Sequence, residues 1–326
     1  MDLKKKILSF IKTQSLSKPG SKLLVGISGG RDSVVLTHLL HQCRHDLSIT
    51  LCLAHFNHRL RASSLHDQRC VANLAKELNI DLITGSRPLV KSPVKASEDE
   101  ARQWRYEFLI KTAKRIHADA VVLAHHENDA AETVLMRLIR GTGLNGLRGI
   151  LPQRLMEGVN IVRPLLTASR DEIRVYARKH QLTYCEDETN KQVIFLRNKL
   201  RHQLLPLLVK EYNPQMMSVL SDLAKTVSDD YELLNSLVLA QAKENLVKFK
   251  RTVKIKKCFL DSAHPALVRL MLRHAFMLIT GDLNQLSYTH VNKAQELILS
   301  HPVGSIVHWP KGVAVVKKKG TIEVRI

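Results

Sequence analysis

The sequence predicts an α/β protein, a doubly wound parallel sheet followed by a smaller helical or α+β C-terminal domain. Three observations point there. Through the first half, short buried-strand runs alternate with amphipathic helical stretches, the βαβα rhythm of a parallel sheet covered by helices on both faces. From about residue 190 the strand signal stops and helical stretches follow one another. The tail then shows period-two alternation broken by Gly312 and Gly320, the pattern of short antiparallel strands.

Each element has a local reason. Leu3, Ile7, Leu8, Phe10 and Ile11 have the spacing of a short amphipathic helix, and the segment lacks the long apolar run and small-residue cleavage site of a signal peptide. "KLLVGIS" reads as a buried strand and "DSVVLTHLLHQC" as the helix after it. "SITLCLAHFN" and "IDLITGSRP" are the next two strands, with the helix "SSLHDQRCVANLAKELN" between them. A long helix, "SEDEARQWRYEFLIKTAKRIH", puts Ala101, Trp104, Phe108 and Leu109 on one face. "ADAVVLAHH" is a fourth strand and "DAAETVLMRLIRG" its helix. "VNIVRPLL" is a fifth, followed by "SRDEIRVYARKHQ". Pro214 marks the expected boundary between a catalytic region, 1–213, and a helical and short-strand region, 214–326.

Composition narrows the class. A chain of 326 residues suits two domains, and 44% hydrophobic residues suffice for a sizeable core. No run of about 18 apolar residues is present, so no membrane helix is expected and the reading is cytoplasmic. Fifty Lys and Arg against thirty Asp and Glu, a net +20, imply a polyanionic partner such as nucleic acid; the plainer alternative is a generally basic, solvated surface. Cys43, Cys52, Cys70, Cys185 and Cys258 contain no C-x-x-C pair, so free thiols are expected and no local ligand pair announces zinc or an iron–sulfur cluster.

The most informative stretch is Ser28-Gly29-Gly30-Arg31-Asp32-Ser33, set between a strand and a helix. Glycines let backbone N–H groups approach a phosphate, and the helix start adds unpaired amides and the positive dipole end. Ser28 and Ser33 add hydroxyl donors. Asp32 looks misplaced beside phosphates unless it carries a magnesium ion. The turn matches neither G-x-x-x-x-G-K-[ST] nor G-x-G-x-x-G. It does match S-G-G-x-D-S, and so resembles the N-type ATP pyrophosphatases, or PP-loop enzymes. That resemblance implies an adenine nucleotide alpha-hydrolase-like sheet and cleavage of ATP between its α- and β-phosphates.

Further stretches carry a finer resemblance: "AHFNHRLR" (Ala54–Arg61), "EDEARQWRYEFL" (Glu98–Leu109), "AHHENDAAETVLMRLIRGTGLNGLRGI" (Ala124–Ile150), "RPLL" (Arg163–Leu166) and "FLRNKLR" (Phe195–Arg201). In this order they resemble the tRNA(Ile)-lysidine synthetase family, in its shorter bacterial form without an additional C-terminal domain. The resemblance implies ATP and Mg²⁺ at the turn, with Ser28, Gly29, Gly30, Arg31, Asp32, Ser33, Ala54, Asn57 and Arg105 around the nucleotide and Asp32 as the Mg²⁺ ligand. Asp32, Arg105, His125, Asp129 and Glu132 are the expected catalytic residues. His125, Asp129 and Glu132 project from one side if their helix starts early, so the two carboxylates can hold the amines of free L-lysine. The alternative is that Asp129 and Glu132 only charge a helix N-terminus. Arg102 and Arg105 flank Trp104 and suit phosphate, or else are surface arginines paired with acids of the same helix. Where related sequences often carry two adjacent acids, this chain has Asn128-Asp129, which puts a second metal ligand in doubt. "HFNH" is weak evidence for a metal pair; Asn57 and His58 are expected to line the cleft instead.

The implied reaction modifies the anticodon wobble cytidine of tRNA(Ile) bearing CAU. Its O2 attacks the α-phosphate of ATP, and the lysine ε-amine then displaces AMP from C2. Arg197, Arg201 and the basic run with Lys248, Lys250 and Arg251 are the expected tRNA contacts, the run being otherwise an exposed linker or strand. A second copy of the chain is a candidate partner, with oligomeric state left open. A tRNA 2-thiolation enzyme is the nearest rival, disfavoured by the cysteine spacing where C-x-x-C is required. A GMP-synthetase-like enzyme would need a glutaminase segment. A noncatalytic RNA-binding protein would not need an intact turn.

Overall fold

The computed structural model describes residues 2–13, 18, 20–59, 64–87, 98–185 and 196–326. Leu60, Arg61 and Phe195 of the motifs above lie outside them. The chain forms two compact units, residues 1–142 with 146–225, and residues 143–145 with 226–326. The division falls inside the helix Met216–Asn245.

The first unit contains strands β1 (Lys22–Gly26), β2 (Thr50–Asn57), β3 (Asp81–Ser86), β4 (Ala120–Val122), β5 (Gln153–Met156) and β6 (Val159–Val162), and helices α1 (Leu3–Thr13), α2 (Arg31–Cys43), α3 (Ser64–Glu77), α4 (Glu98–Arg115), α5 (Glu127–Arg140) and α7 (Arg170–Lys179); the short helix α6 (Leu144–Leu147) is divided between the two units. The sheet order is β3-β2-β1-β4-β6-β5, parallel throughout except for β5, which pairs antiparallel with β6. Alternate strand residues feed two cores. Leu23, Val25, Leu53, Val122 and Val162 face α1, α2 and α7 through Ile7, Leu36, Leu39, Leu40 and Ile173. Leu24, Ala54, Val121 and Ile161 face α4 through Tyr106, Leu109, Ile110 and Ala113. Burial on both faces is what lets these strands read as continuous apolar runs. From β1 the chain winds one way to β2 and β3, then returns to β4 on the other side. The carboxyl ends of β1 and β4 therefore flank a switch point, where such sheets open a crevice.

The second unit is an antiparallel sheet in the order β7-β8-β11-β10-β9, with β7 (Leu246–Phe249), β8 (Thr252–Lys256), β9 (Ile306–His308), β10 (Ala314–Lys318) and β11 (Thr321–Arg325). Val253, Ile255, Val315, Ile322 and Val324 pack on helices Pro265–Thr280 and Tyr288–Ser300 through Met271, Leu272, Phe276, Val291 and Leu297. The basic run becomes the β7–β8 hairpin, with Lys248, Lys250 and Arg251 exposed around its tip. No helix among the described residues is long and apolar enough to cross a membrane.

Candidate active site

Beyond β1, the Ile27 N–H donates to the Ala54 carbonyl at 2.9 Å, and His55 Nδ1 lies 3.0 Å from the Ile27 carbonyl. The turn that follows is held by its own serines. Ser33 Oγ donates to the Gly30 carbonyl at 2.8 Å, the Ser28 N–H donates to Ser33 Oγ at 3.2 Å, and the two hydroxyls are 3.1 Å apart. Gly30 is the N-cap of α2 and takes no side-chain cap, so the first-turn amides from Arg31 onward face the crevice end of the helix. Gly29 has φ +90°, and a Cβ there would meet Val71 Cγ2 at 3.3 Å and the Asp67 carbonyl at 3.6 Å. The positive φ favours glycine, and a Cβ would press on Val71.

A charged cluster sits beside this turn. Asp32, in the first turn of α2, has Arg31 Nε at 3.3 Å from Oδ1 and His126 Nε2 at 3.5 Å from Oδ2. The same His126 Nε2 is 3.6 Å from Asp129 Oδ2, so one buried imidazole bridges two carboxylates from different helices. His126 is also the N-cap of α5, and its N–H donates to Asp129 Oδ2 at 3.1 Å. Burial pushes the His126 pKa down, but the Asp129 charge and the hydrogen bond and charge of Asp32 outweigh it and raise the value. Burial likewise acts to raise Asp32 and Asp129; His126 is the main opposing influence for both, and each ends below the usual carboxylate value, Asp129 well below. The cluster thus sets one imidazole, its proton affinity raised, between two carboxylates.

On its other side Asp129 and Glu132 meet two arginines. Glu132 Oε2 accepts from Arg197 Nε at 3.0 Å and from Arg201 Nη2 at 2.7 Å, and Oε1 accepts from Arg201 Nε at 2.6 Å. Asp129 Oδ1 accepts from Arg197 Nη2 at 3.3 Å and Arg201 Nη2 at 3.2 Å. Arg197 lies in the helix Leu196–Lys199 and Arg201 in the wide turn Leu200–Leu204 that continues it. Pro206 lacks the N–H that a regular α-helix would donate to the His202 carbonyl, and Leu205 N–H bonds instead to Leu200 O. A cavity of about 180 Å³ adjoins this network, lined by Asn128, Glu132, Arg201, Leu205, Pro206 and Met217 among others.

Some expected residues fall elsewhere. α5 begins at Glu127, so His125 is not on the helix and its spacing to Asp129 carries no helical meaning; Asp129 and Glu132 share a face at i, i+3. His125 is pushed well down by burial, and the positive charges of Arg163, Arg105 and Arg102 reinforce this against Asp129. Its Nδ1 and Arg105 Nε are buried with no hydrogen-bond partner among the described residues. Such orphaned groups beside a charged cluster suit a polar ligand. Asn57 is already engaged: its amide donates to the Ser64 carbonyl and Gln68 Oε1, and its oxygen accepts from the Arg59 N–H. Asn128 Oδ1 accepts from the Arg170 N–H at 3.0 Å, so the residue in place of the adjacent acid helps fix the start of α7. Sequence reasoning missed His126. The signal was present, since His126 and Asp129 have the N-cap and N3 spacing, but histidine is not a usual N-cap.

Residues 1–208 match the PP-loop domain family. A tRNA(Ile)-lysidine synthase of Clostridium perfringens (strain ATCC 13124) is 33% identical over 330 residues, covering 99% of this chain and 69% of that protein. One from Geobacter sulfurreducens is 34% identical over 320 residues, covering 96% and 67%. Among solved structures, the U34-tRNA thiolase NcsA from Methanococcus maripaludis with its [4Fe-4S] cluster aligns with a TM-score of 0.59 at 18% identity, over 69% of this chain and 78% of that one, which shows a shared fold. With the S-G-G-x-D-S turn at the switch point and nearly the whole of this chain aligned to about two thirds of these relatives, the chain belongs to the tRNA(Ile)-lysidine synthase family of PP-loop proteins.

Proposed function

We propose that the chain uses ATP to join free L-lysine to C2 of the anticodon wobble cytidine of tRNA(Ile) bearing CAU, releasing AMP and pyrophosphate. The observation that carries this reading is the Asp32–His126–Asp129 bridge, which sets the amide turn beside a paired carboxylate and guanidinium network. In the first step the cytosine O2 attacks the α-phosphorus, and the bond to the β-phosphate oxygen breaks. Pyrophosphate leaves against the Ser28–Ser33 amides, which are aimed before the reaction and need no reorganisation. Asp32 offers a hard carboxylate oxygen beside the turn and would hold Mg²⁺, which supplies charge neutralisation at the phosphates. Arg105, with a buried N–H that has no partner among the described residues, supplies a further donor for phosphate oxygens.

In the second step a deprotonated lysine amine attacks C2, the C2–O2 bond breaks and AMP departs. Asp129 and Glu132 give the amine its electrostatic address, with Arg197 and Arg201 holding both carboxylates in place beforehand. The alkyl stem of lysine suits the walls of the adjoining cavity formed by Leu205, Pro206 and Met217. His125, kept neutral by burial, offers a ring N–H donor to phosphate or a ring nitrogen acceptor to a base. The net charge of +20 and the exposed Lys248, Lys250 and Arg251 support phosphate-backbone contact by the second unit. A thiolation activity gains no support from the NcsA likeness, which speaks to fold alone.

The test is incubation of the full chain with ATP, labelled lysine and tRNA(Ile) transcripts carrying CAU or a changed first anticodon base. Label should enter only the CAU transcript and only with ATP. Incorporation independent of the wobble cytidine, or ATP-dependent sulfur transfer in its place, would overturn the assignment.

A further inference from the structure

We propose that His66, Cys70 and Cys185 form a mononuclear site for a thiophilic divalent cation of the zinc type. The inference is independent of the reaction proposed above. His66 and Cys70 are one turn apart on α3, and Cys185 comes from the segment after α7. Their donor atoms all lie within 4.8 Å of one another, the only such His, Cys, Asp and Glu grouping among the described residues. A tetrahedral zinc centre, with Zn–S of about 2.3 Å and Zn–N of about 2.0–2.1 Å, puts nitrogen and sulfur about 3.6 Å apart. Cys70 Sγ and His66 Nε2 are 3.5 Å apart. The ligands of an iron–sulfur cubane bind different iron atoms and need wider spacing, so a single ion fits better. His66 is exposed and both cysteines are half-buried, which leaves an entry path from solvent.

The placement gives the ion a consequence. The Cys185 N–H donates to the Gly29 carbonyl at 2.9 Å, while the Asp67 carbonyl and Val71 of α3 border the space a Gly29 side chain would enter. A cation binding Cys185 to α3 would clamp the phosphate turn from both sides. Binding requires both thiols to release their protons to solvent, so affinity rises with pH. The ion acts here as a positioning element, and its loss should raise the KM for ATP several-fold with a smaller change in kcat.

The test uses the full chain, reduced, stripped with chelator and titrated anaerobically with Co²⁺ in the absence of RNA and lysine. The expected result is saturation at one equivalent, with sulfur-to-cobalt charge transfer and the strong visible bands of tetrahedral cobalt, displaced by Zn²⁺. Cys70→Ser and Cys185→Ser should each abolish the spectrum, and Cys258→Ser should leave it intact. Zn²⁺ should also raise the Tm of wild-type protein and protect Cys70 and Cys185 from maleimide alkylation, read by peptide mass spectrometry; this covers variants that fail to fold. No cobalt spectrum, a spectrum unchanged in both variants, absence of protection, or a Cys70–Cys185 disulfide in anaerobically prepared protein would overturn the proposal.

Discussion

Replacing Glu132 with glutamine separates two readings of the carboxylate network. Glu132 is 2% exposed and accepts three hydrogen bonds from Arg197 and Arg201, the shortest at 2.6 Å. Glu132→Gln keeps the shape but removes the charge, and its new NH₂ meets guanidinium N–H groups, donor against donor. Removing one partner of a buried ion pair costs about 3–5 kcal/mol. Arg197 and Arg201 keep 16% and 15% side-chain exposure, so water screens part of the orphaned charge. A working cost of about 2–3 kcal/mol, at roughly 2–4 °C per kcal/mol for a domain of this size, lowers the Tm by about 4–12 °C. Scanning calorimetry of ligand-free protein reads this directly. A double-mutant cycle with Arg201→Gln should show a coupling of about 1–3 kcal/mol. If Glu132→Gln melts with wild type and only the lysine KM rises, Glu132 serves substrate alone and the anchoring argument fails.

The remaining predictions concern the bridge, the turn and the hairpin. The His126 pKa is raised in the folded state, so its stabilisation is fully present below the unfolded value of 6.5 and is lost as pH rises through the folded value. The Tm should therefore fall on the alkaline side, and His126→Gln should flatten that slope; a wild-type profile flat across this range would contradict the bridge. Gly29→Ala forces an alanine to φ +90°, at a cost of about 1–2 kcal/mol. ATP–pyrophosphate exchange should drop by about tenfold or more, and unchanged exchange would place the phosphates elsewhere. Neutralising Lys248, Lys250 and Arg251 together should reduce the slope of log affinity against log salt by about 0.7–0.9 per lost phosphate contact in filter binding. An unaltered slope removes the hairpin from the tRNA surface.

The first unit was readable because β1, β2, β4 and β6 are buried on both faces and flanked by helices, so pattern and burial agree. β5 was not readable. Gln153–Met156 is a short edge strand whose middle residues are exposed, and nothing in its composition distinguishes it from loop. The β7–β8 hairpin was equally muted. Its tip is Lys250-Arg251, with Lys250 at φ 29°, where a readable turn would carry Gly or Asn. The His66–Cys70–Cys185 grouping escaped for a topological reason: two ligands share a helix, but the third arrives from beyond α7, and no local spacing predicts that meeting.

Within the site, the residue types were legible and their long-range protein partners were not. The glycine turn was legible because its geometry is local: positive φ at Gly29 and an uncapped helix start are fixed within six residues. Asp129 and Glu132 were legible as carboxylates at a strand-to-helix junction, but their counter-ions come from more than sixty residues away. Arg197 and Arg201 were therefore assigned outward, to tRNA or ATP. At i, i+4 the two arginines share one face, and both guanidiniums reach Glu132 across the fold. The choice of His125 over His126 has the same origin. One residue of uncertainty in the start of α5 decides which imidazole stands between Asp32 and Asp129, and helix starts are the least determined feature of a sequence. Chemistry that depends on one helix boundary and on ion pairs across more than sixty residues becomes visible only when the chain is folded.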